Sequence, residues 1–446
     1  MTTPICDFVR NYIGSSPARL HMPGHKGAPL LGCEPLDITE INGADNLYDP
    51  QGIIRESQSN ASRLFGTAAT LYSTGGSSQS IRAMLYLALL AHNERRPGER
   101  PLILAGRNAH KAFLTAAALL DLDICWLYPE NAAYSLCRCD ISPAVLGEAL
   151  SRHHSAAAVY LTSPDYLGNI ADISALSQVC HQHNVPLLVD NAHGAYLRFL
   201  SPSCHPIDQG ADLCCDSAHK TLPVLTGGGY LHVSGIAPAL FRERVCQAMS
   251  MFGSTSPSYL ILQSLDLCNR CLADGYPEKL SNTIELLSSI KSRLEGWHFA
   301  GDESMKLTIS TRPSGYTGPE LASCLESRSI HVEYADPDYL VLMPTPETPL
   351  EALRLLESTL SELPRRPALP ARLPAFRPPR QALTVRQALF APSETVPVTQ
   401  ASGRVLASLA VSCPPAAAPA VPGEVLTQDI VDIYGYYGIE SVAVVK

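Results

Sequence analysis

The 446 residues are enough for two or three domains, and a composition 46% hydrophobic and 17% charged suits a soluble globular chain with a large core. A net charge of −9 argues against nucleic acid and anionic membranes as partners, since both favour basic patches. Fourteen cysteines, including Cys137 and Cys139 as C-x-C and the adjacent Cys214 and Cys215, lack paired zinc spacing. They read as reduced core thiols of a cytoplasmic protein with no metal. The first residues lack a secretory pattern, and the longest apolar runs, such as 83–91, are too short to span a bilayer.

In chain order, residues 1–50 read as an irregular N-terminal arm with a turn-rich stretch at 21–27, His-Met-Pro-Gly-His-Lys-Gly. Residues 52–65 carry a helical stripe. A short strand at 71–73 then meets Thr74-Gly75-Gly76-Ser77-Ser78-Gln79, which opens a helix to about Arg95. Such a turn offers backbone N–H groups and hydroxyls to a phosphate, aided by the helix dipole. The next strand, 101–105, leads into Gly106-Arg107-Asn108-Ala109-His110-Lys111 and a helix to about Leu120, while 134–140 carries no signal. A strand at 156–162 ends in the loop Ser163-Pro164-Asp165-Tyr166-Leu167-Gly168, and a helix at 173–183 follows.

Two strand ends carry the chemistry. Val185 to Asn191 is an apolar run ending in Asp190, and Leu213 to Cys215 is another that leads through Asp216-Ser217-Ala218-His219 to Lys220. Thirty residues separate Asp190 from Lys220, about one strand–connection–strand unit. Both side chains can therefore reach one ligand at the carboxyl edge of a parallel sheet. Burial lowers a lysine's pKa, and a neutral amine can form a Schiff base. Pyridoxal phosphate needs such an amine for its aldehyde and an anion for its pyridinium nitrogen. Taken singly, Lys220 also reads as a surface lysine and Asp190 as a helix N-cap.

The motifs Ser217-Ala218-His219-Lys220-Thr221-Leu222-Pro223 and Asp190-Asn191-Ala192-His193-Gly194 resemble those of the bacterial ornithine/lysine/arginine decarboxylase family, with Asn191 where that family's motif has Glu. Similar stretches lie at 21–27, 107–111, 163–168, 252–259 and 422–424, so the resemblance runs from about 20 to 440. It implies a fold-type-I pyridoxal-5'-phosphate enzyme of the α/β class. The large domain would have a mostly parallel sheet, joined to a smaller α+β domain and a C-terminal segment. The division expected is an arm at 1–50, a cofactor-binding domain at 51–257, a small domain at 258–363, a Pro/Arg-rich extended linker at 364–382 and a C-terminal domain at 383–446. By resemblance, Lys220 and Asp190 hold the cofactor, and His110 packs on its ring. His193 and His219 steer protons or serve as supports. Gly76, Ser77 and Ser78 hold the phosphate, with Gln79 a further candidate, and Ser217 is a further cofactor-binding residue. Ser254 and Thr255 reach a partner subunit's phosphate, which implies a homodimer or higher even oligomer.

The expected reaction is decarboxylation of arginine, lysine or ornithine to the amine and carbon dioxide, within polyamine-type metabolism. Another fold-type-I activity such as an aminotransferase, or a catalytically weak cofactor-binding regulator, stays open. The C-terminal stretch Pro414-Pro415-Ala416 to Pro422 lacks the Gly-Ile of the family's segment, which puts the local wall of the site in question.

Overall fold

The computed structural model describes residues 1–129, 138–370, 374, 376–409 and 417–446. Cys137, part of the Pro/Arg-rich stretch and Pro414 to Ala416 lie outside the described residues. Seven strands form one sheet: β1 (Ala69–Ser73), β2 (Leu102–Gly106), β3 (Asp123–Leu127), β4 (Ala158–Thr162), β5 (Leu187–Asp190), β6 (Leu213–Asp216) and β7 (Gly229–Val233), in the order β1-β7-β6-β5-β4-β2-β3. The pairs β2–β3, β4–β5 and β5–β6 are parallel, whereas β7 runs antiparallel to both β1 and β6. Runs such as Leu-Leu-Val-Asp and Leu-Cys-Cys-Asp are wholly buried, which is why these strands lack a polar alternation. The helices are α1 (Pro4–Gly14), α2 (Ile53–Phe65), α3 (Gly76–Arg95), α4 (Lys111–Leu120), α5 (Pro143–Arg152), α6 (Ile173–Gln182), α7 (Ala218–Thr221), α8 (Ala239–Ser250), α9 (Tyr259–Ala273) and α10 (Tyr276–Arg293).

The chain divides into two compact units. The first comprises Met1–Pro101, His154–Ser163 and Ile173–Lys279. Here residues 1–50 are not wholly irregular, because α1 buries Ile5, Cys6 and Val9 on one face. Asp266 of α9 accepts the Cys6 backbone N–H at 3.0 Å and the Ser57 hydroxyl of α2 at 2.5 Å, joining three helices through one buried carboxylate. Only three residues make the buried stripe of α1, and Pro4 in its first turn is the sequence signal for its start.

The second unit comprises Leu102–His153, Pro164–Asp172 and Leu280–Lys446. It contains a four-stranded antiparallel sheet of β8 (His298–Ala300), β9 (Leu307–Ser310), β10 (Tyr334–Ala335) and β11 (Tyr339–Leu342), with α11 (Gly318–Glu326) and α12 (Leu350–Glu362). Thr317 and Glu320 cap α11 reciprocally. Residues 364–370 have no helix or strand, as a proline-rich stretch should, yet they are not a free spacer. The Arg366 guanidinium lies 4.1 Å over the Tyr316 ring, the Tyr316 hydroxyl donates to Pro364 O at 2.7 Å, and Leu369 N–H donates to Arg312 O at 2.9 Å. Beyond them come α13 (Val385–Phe390), β12 (Ser393–Pro397), α14 (Gln428–Tyr436) and β13 (Ser441–Val445). Phe376, Leu406, Leu426, Ile430, Ile433 and Val444 share a core there. Arg107, at the end of β2, donates to Glu424 at 2.9 Å and to Pro419 O at 3.2 Å, and stands 5.0 Å over the Trp126 ring. Both partners of this ion pair are buried.

Two consequences can be measured. A Cβ at Gly229 would lie 2.7 Å from Asp216 O and 3.2 Å from Gly76 C, both backbone atoms. Gly229→Ala should therefore cost about 1–3 kcal/mol by overpacking, read as a lower urea midpoint at unchanged slope. Asp165, in the loop after β4, accepts from Leu167 N–H, Asn169 N–H and Asn169 Nδ2, but its burial pushes the carboxyl up to about 6. The folded protein thus holds this proton more tightly than the unfolded chain does. Its contribution is full below pH 4 and is lost as pH rises through 6, a change on the order of 3 kcal/mol. Asp165→Asn should flatten that part of the curve when unfolding free energy is measured from pH 4 to 7.

Candidate active site

In the first unit β4, β5 and β6 run parallel, and β1 runs with them because both β1 and β6 oppose β7. Their carboxyl ends therefore share one edge. From it rise the Ser73–Ser78 turn, Asp190 and the short α7 with His219 and Lys220. Gly76 adopts φ +64, a left-handed conformation suited to glycine, and its N–H donates to Gly227 O at 2.7 Å. Ser73 donates to Gly76 O at 2.8 Å, so the turn entering α3 is fixed from both sides. Ser217, which precedes α7, donates its hydroxyl to Ser77 Oγ at 2.9 Å. The phosphate-type turn and the lysine helix are thereby tied together. The first N–H groups of a helix lack intrahelical acceptors, so this turn of α3 can receive an anion.

Asp190 is buried. Its Oδ2 accepts the Tyr160 hydroxyl at 3.0 Å and its Oδ1 accepts Ala192 N–H at 3.2 Å, while the Cys215 thiol lies 3.6 Å from Oδ1. Tyr160 comes from the neighbouring β4, two residues before the one paired with Asp190. Burial and the adjacent Asp190 push its phenol far above the usual range, so it stays a donor. Lys220 is half-buried, and its Nζ lies 3.0 Å from Nε2 of buried His193. The imidazole can take the ammonium proton and leave a nucleophilic amine. His219 is used differently, since both its backbone N–H and its Nδ1 meet Gly228 O, at 3.2 and 2.8 Å. It braces the lysine loop.

The structure thus gathers Asp190, His193, Ser217, Lys220, Gly76, Ser77 and the half-buried Ser78 in one unit. Gln79 is committed elsewhere. Its Oε1 lies 2.8 Å from Ser73 Oγ and shares that hydroxyl's proton with Gly76 O, and its Nε2 donates to Met249 O at 2.9 Å and Tyr48 at 3.1 Å. Ser254 and Thr255 stand exposed, with Ser254 accepting from Ser256 N–H at 3.1 Å. His110 belongs to the second unit, where it is exposed and caps α4 by accepting Ala112 N–H at 3.2 Å. Tyr160 escaped the sequence reading because it looks like any aromatic of a buried strand. Only the register with β5 reveals it.

These residues fit pyridoxal phosphate. An amine, a buried carboxylate and a glycine-bounded helix start lie on one edge, and the buried Asn191 Oδ1 and Thr221 Oγ1 beside Asp190 and Lys220 have no partner among the described residues. Such orphaned atoms are rare in finished interiors and suit a polar ligand.

Comparison with known proteins agrees. Residues 3–310 match the family model described as Orn/Lys/Arg decarboxylase, major domain. A protein of Bacillus subtilis named arginine decarboxylase is 29% identical over 96% of this chain and 92% of its own length. Among solved structures, lysine decarboxylase A from Pseudomonas aeruginosa superposes with a TM-score of 0.80 at 18% identity, over 99% of this chain and 80% of that one. The constitutive lysine decarboxylase of E. coli gives 0.78 at 19%, over 100% and 82%. These structural likenesses show the fold, while the sequence match shows the kinship: the chain belongs to the Orn/Lys/Arg decarboxylase family and is a pyridoxal-phosphate-dependent amino-acid decarboxylase.

Proposed function

We propose that the chain decarboxylates arginine, or failing that lysine or ornithine, with Lys220 as the cofactor-bearing residue and Asp190 as the partner of the ring nitrogen. The observation that carries this is the pair of strand ends, with Lys220 beside His193 and Asp190 held by Tyr160. Arginine comes first because two relatives spanning almost the whole chain, from Bacillus subtilis and Halalkalibacterium halodurans, bear the name arginine decarboxylase. Pyridoxal phosphate, when bound, accepts the electron pair left at Cα as carbon dioxide departs. Asp190, aimed by Tyr160 and Ala192 N–H, would hold the positive ring nitrogen. His193 would carry the proton exchanged with Lys220. The Gly76-Ser77-Ser78 turn and Ser217 would anchor the phosphate.

The same proposal makes the amine product part of polyamine-type metabolism in the cytoplasm. No helix among the described residues is long and apolar enough to cross a membrane. It also makes the working unit a homodimer. Ser254 and Thr255 are exposed beside α9, and Leu20, Leu30 and Leu31 of the arm are almost fully exposed, an apolar surface suited to a second copy.

Headspace carbon dioxide measured against an amino-acid panel tests the reaction. Release should be greatest with arginine; a keto acid instead would indicate an aminotransferase, and neither product a regulator. Lys220→Ala should abolish both turnover and the visible absorbance of the bound cofactor. Asp190→Asn should keep the cofactor but lose about 10²-fold or more in turnover, the scale of removing one preorganised electrostatic partner. Borohydride fixing the cofactor to Lys111 would refute the assignment. For the dimer, mixing Lys220→Ala chains with Ser254→Ala/Thr255→Ala chains should restore activity through one intact site per hybrid. Full activity in a sedimenting monomer would refute shared sites.

A further inference from the structure

Asp216, the last residue of β6, is 0% exposed and takes no part in the chemistry above. A buried carboxylate is costly unless donors surround it. Four side chains do so, the Cys214 thiol at 3.7 Å from Oδ1 among them. His205 Nε2 and His232 Nε2 both meet Oδ2, at 3.2 and 3.1 Å, and Asn191 Nδ2 donates to Oδ1 at 2.7 Å. The protons can be assigned. Ile207 N–H donates to His205 Nδ1 at 3.4 Å, so that nitrogen is the acceptor and Nε2 carries the hydrogen toward Asp216. Burial pushes the Asp216 carboxyl up, but the attraction and hydrogen bonds of the His205 and His232 imidazoles hold it well below the usual range. Burial in turn pushes the His232 imidazole down, against the pull of Asp216. Phe65 closes the cluster, with its ring 4.5 Å from His232 and 5.7 Å from His205.

One ligand atom from each of His205, Asp216 and His232 lies within 4.8 Å of the others, as the ligands of a metal would. A hydrogen on His205 Nε2 occupies the lone pair a metal would need, so the cluster is a hydrogen-bonded clamp. It ties three strands: Asn191 follows β5, Asp216 ends β6 and His232 lies within β7. Asn191 is the residue after Asp190. Ser217, the residue after Asp216, is bonded to Ser77 and opens the helix that carries Lys220.

We propose that Asp216 is a positioning residue for the cofactor site, and that Asn191 and Asp216 are a matched amide–carboxylate pair holding Asp190 and Lys220 in register. This rests on the reading that those two residues carry pyridoxal phosphate. It explains why position 191 departs from the family motif, because a glutamate there would set a second carboxylate against Asp216.

The pairing can be reversed without changing its shape. In Asp216→Asn the amide oxygen still accepts from both imidazoles, and the Asn191 amide can turn over to present its Oδ1 to the new NH₂, so this single variant is the mild one. In Asn191→Asp two carboxylates face each other. In the double variant Asn191→Asp/Asp216→Asn, a carboxylate again meets an amide. Asn191→Asp should weaken pyridoxal phosphate binding by roughly tenfold or more and shift the visible absorbance of the bound cofactor, Asp216→Asn should do so by less, and the double variant should return to within about threefold of wild type. Failure of Asn191→Asp to fold, with recovery of folding and cofactor in the double, supports the same pairing. Overturning results are wild-type affinity in Asn191→Asp, or a double variant no better than that single. Stoichiometric zinc in the purified protein, lost in His232→Gln, would overturn the clamp in favour of a metal site. If the wild-type chain itself binds no cofactor, the reading at Lys220 falls and takes this proposal with it. Binding by the wild type with uncoupled variants removes the proposal alone.

Discussion

A carboxylate buried at the end of a strand persists only where donors converge on it, and this constraint shapes the cofactor edge. Asp190 and Asp216 end adjacent parallel strands, and each is enclosed by its own donors. The donors come from β4, from the turn after β5, from β7 and from the loop before β6. Satisfying two charges therefore dictates how four segments meet. Lys220 inherits its place from that arrangement, one turn beyond Asp216. The glycines at 76, 227 and 229 allow the backbones to approach closely enough for the turn and the lysine loop to share hydrogen bonds.

Much of this was legible beforehand. Continuous apolar runs bounded by Asp190 and Asp216 mark parallel strands, and a glycine–serine turn before a long helix marks an anion site. Lys220 lies beside His193, and Ser217 beside Ser77. Tyr160 was not legible, because its role depends on which strand lies beside β5, and strand order is not written in any local pattern. Gln79 reads as one more polar residue in a phosphate turn, but its amide spans Ser73, Met249 and Tyr48, partners up to 170 residues away. His219 looked as available as His193; only the close approach of Gly228 O shows that its ring is engaged.

The second unit was harder to read for a related reason. Its C-terminal strands are short, and β12 is almost wholly exposed, so neither hydrophobic period nor length announces it. The Pro/Arg-rich stretch has the composition of a spacer, yet Arg366 and Leu369 are bound to the small domain and Phe376 is in a core. Composition predicts the backbone's extended state. It does not predict whether an extended segment finds a surface to lie on, because that depends on aromatic and carbonyl partners supplied from elsewhere.

The ion pair between Arg107 and Glu424 joins residues 317 positions apart, and both are buried. On a ribosome, β2 emerges long before its partner has been translated. Until then the guanidinium must stay hydrated, since burying it unpaired would be costly. The second unit therefore cannot complete its interior while synthesis is under way. The first unit has all of its segments by Lys279, so this chain can mature in two stages, with the cofactor edge assembled first and the segment around Arg107 sealed only after the last stretch is released.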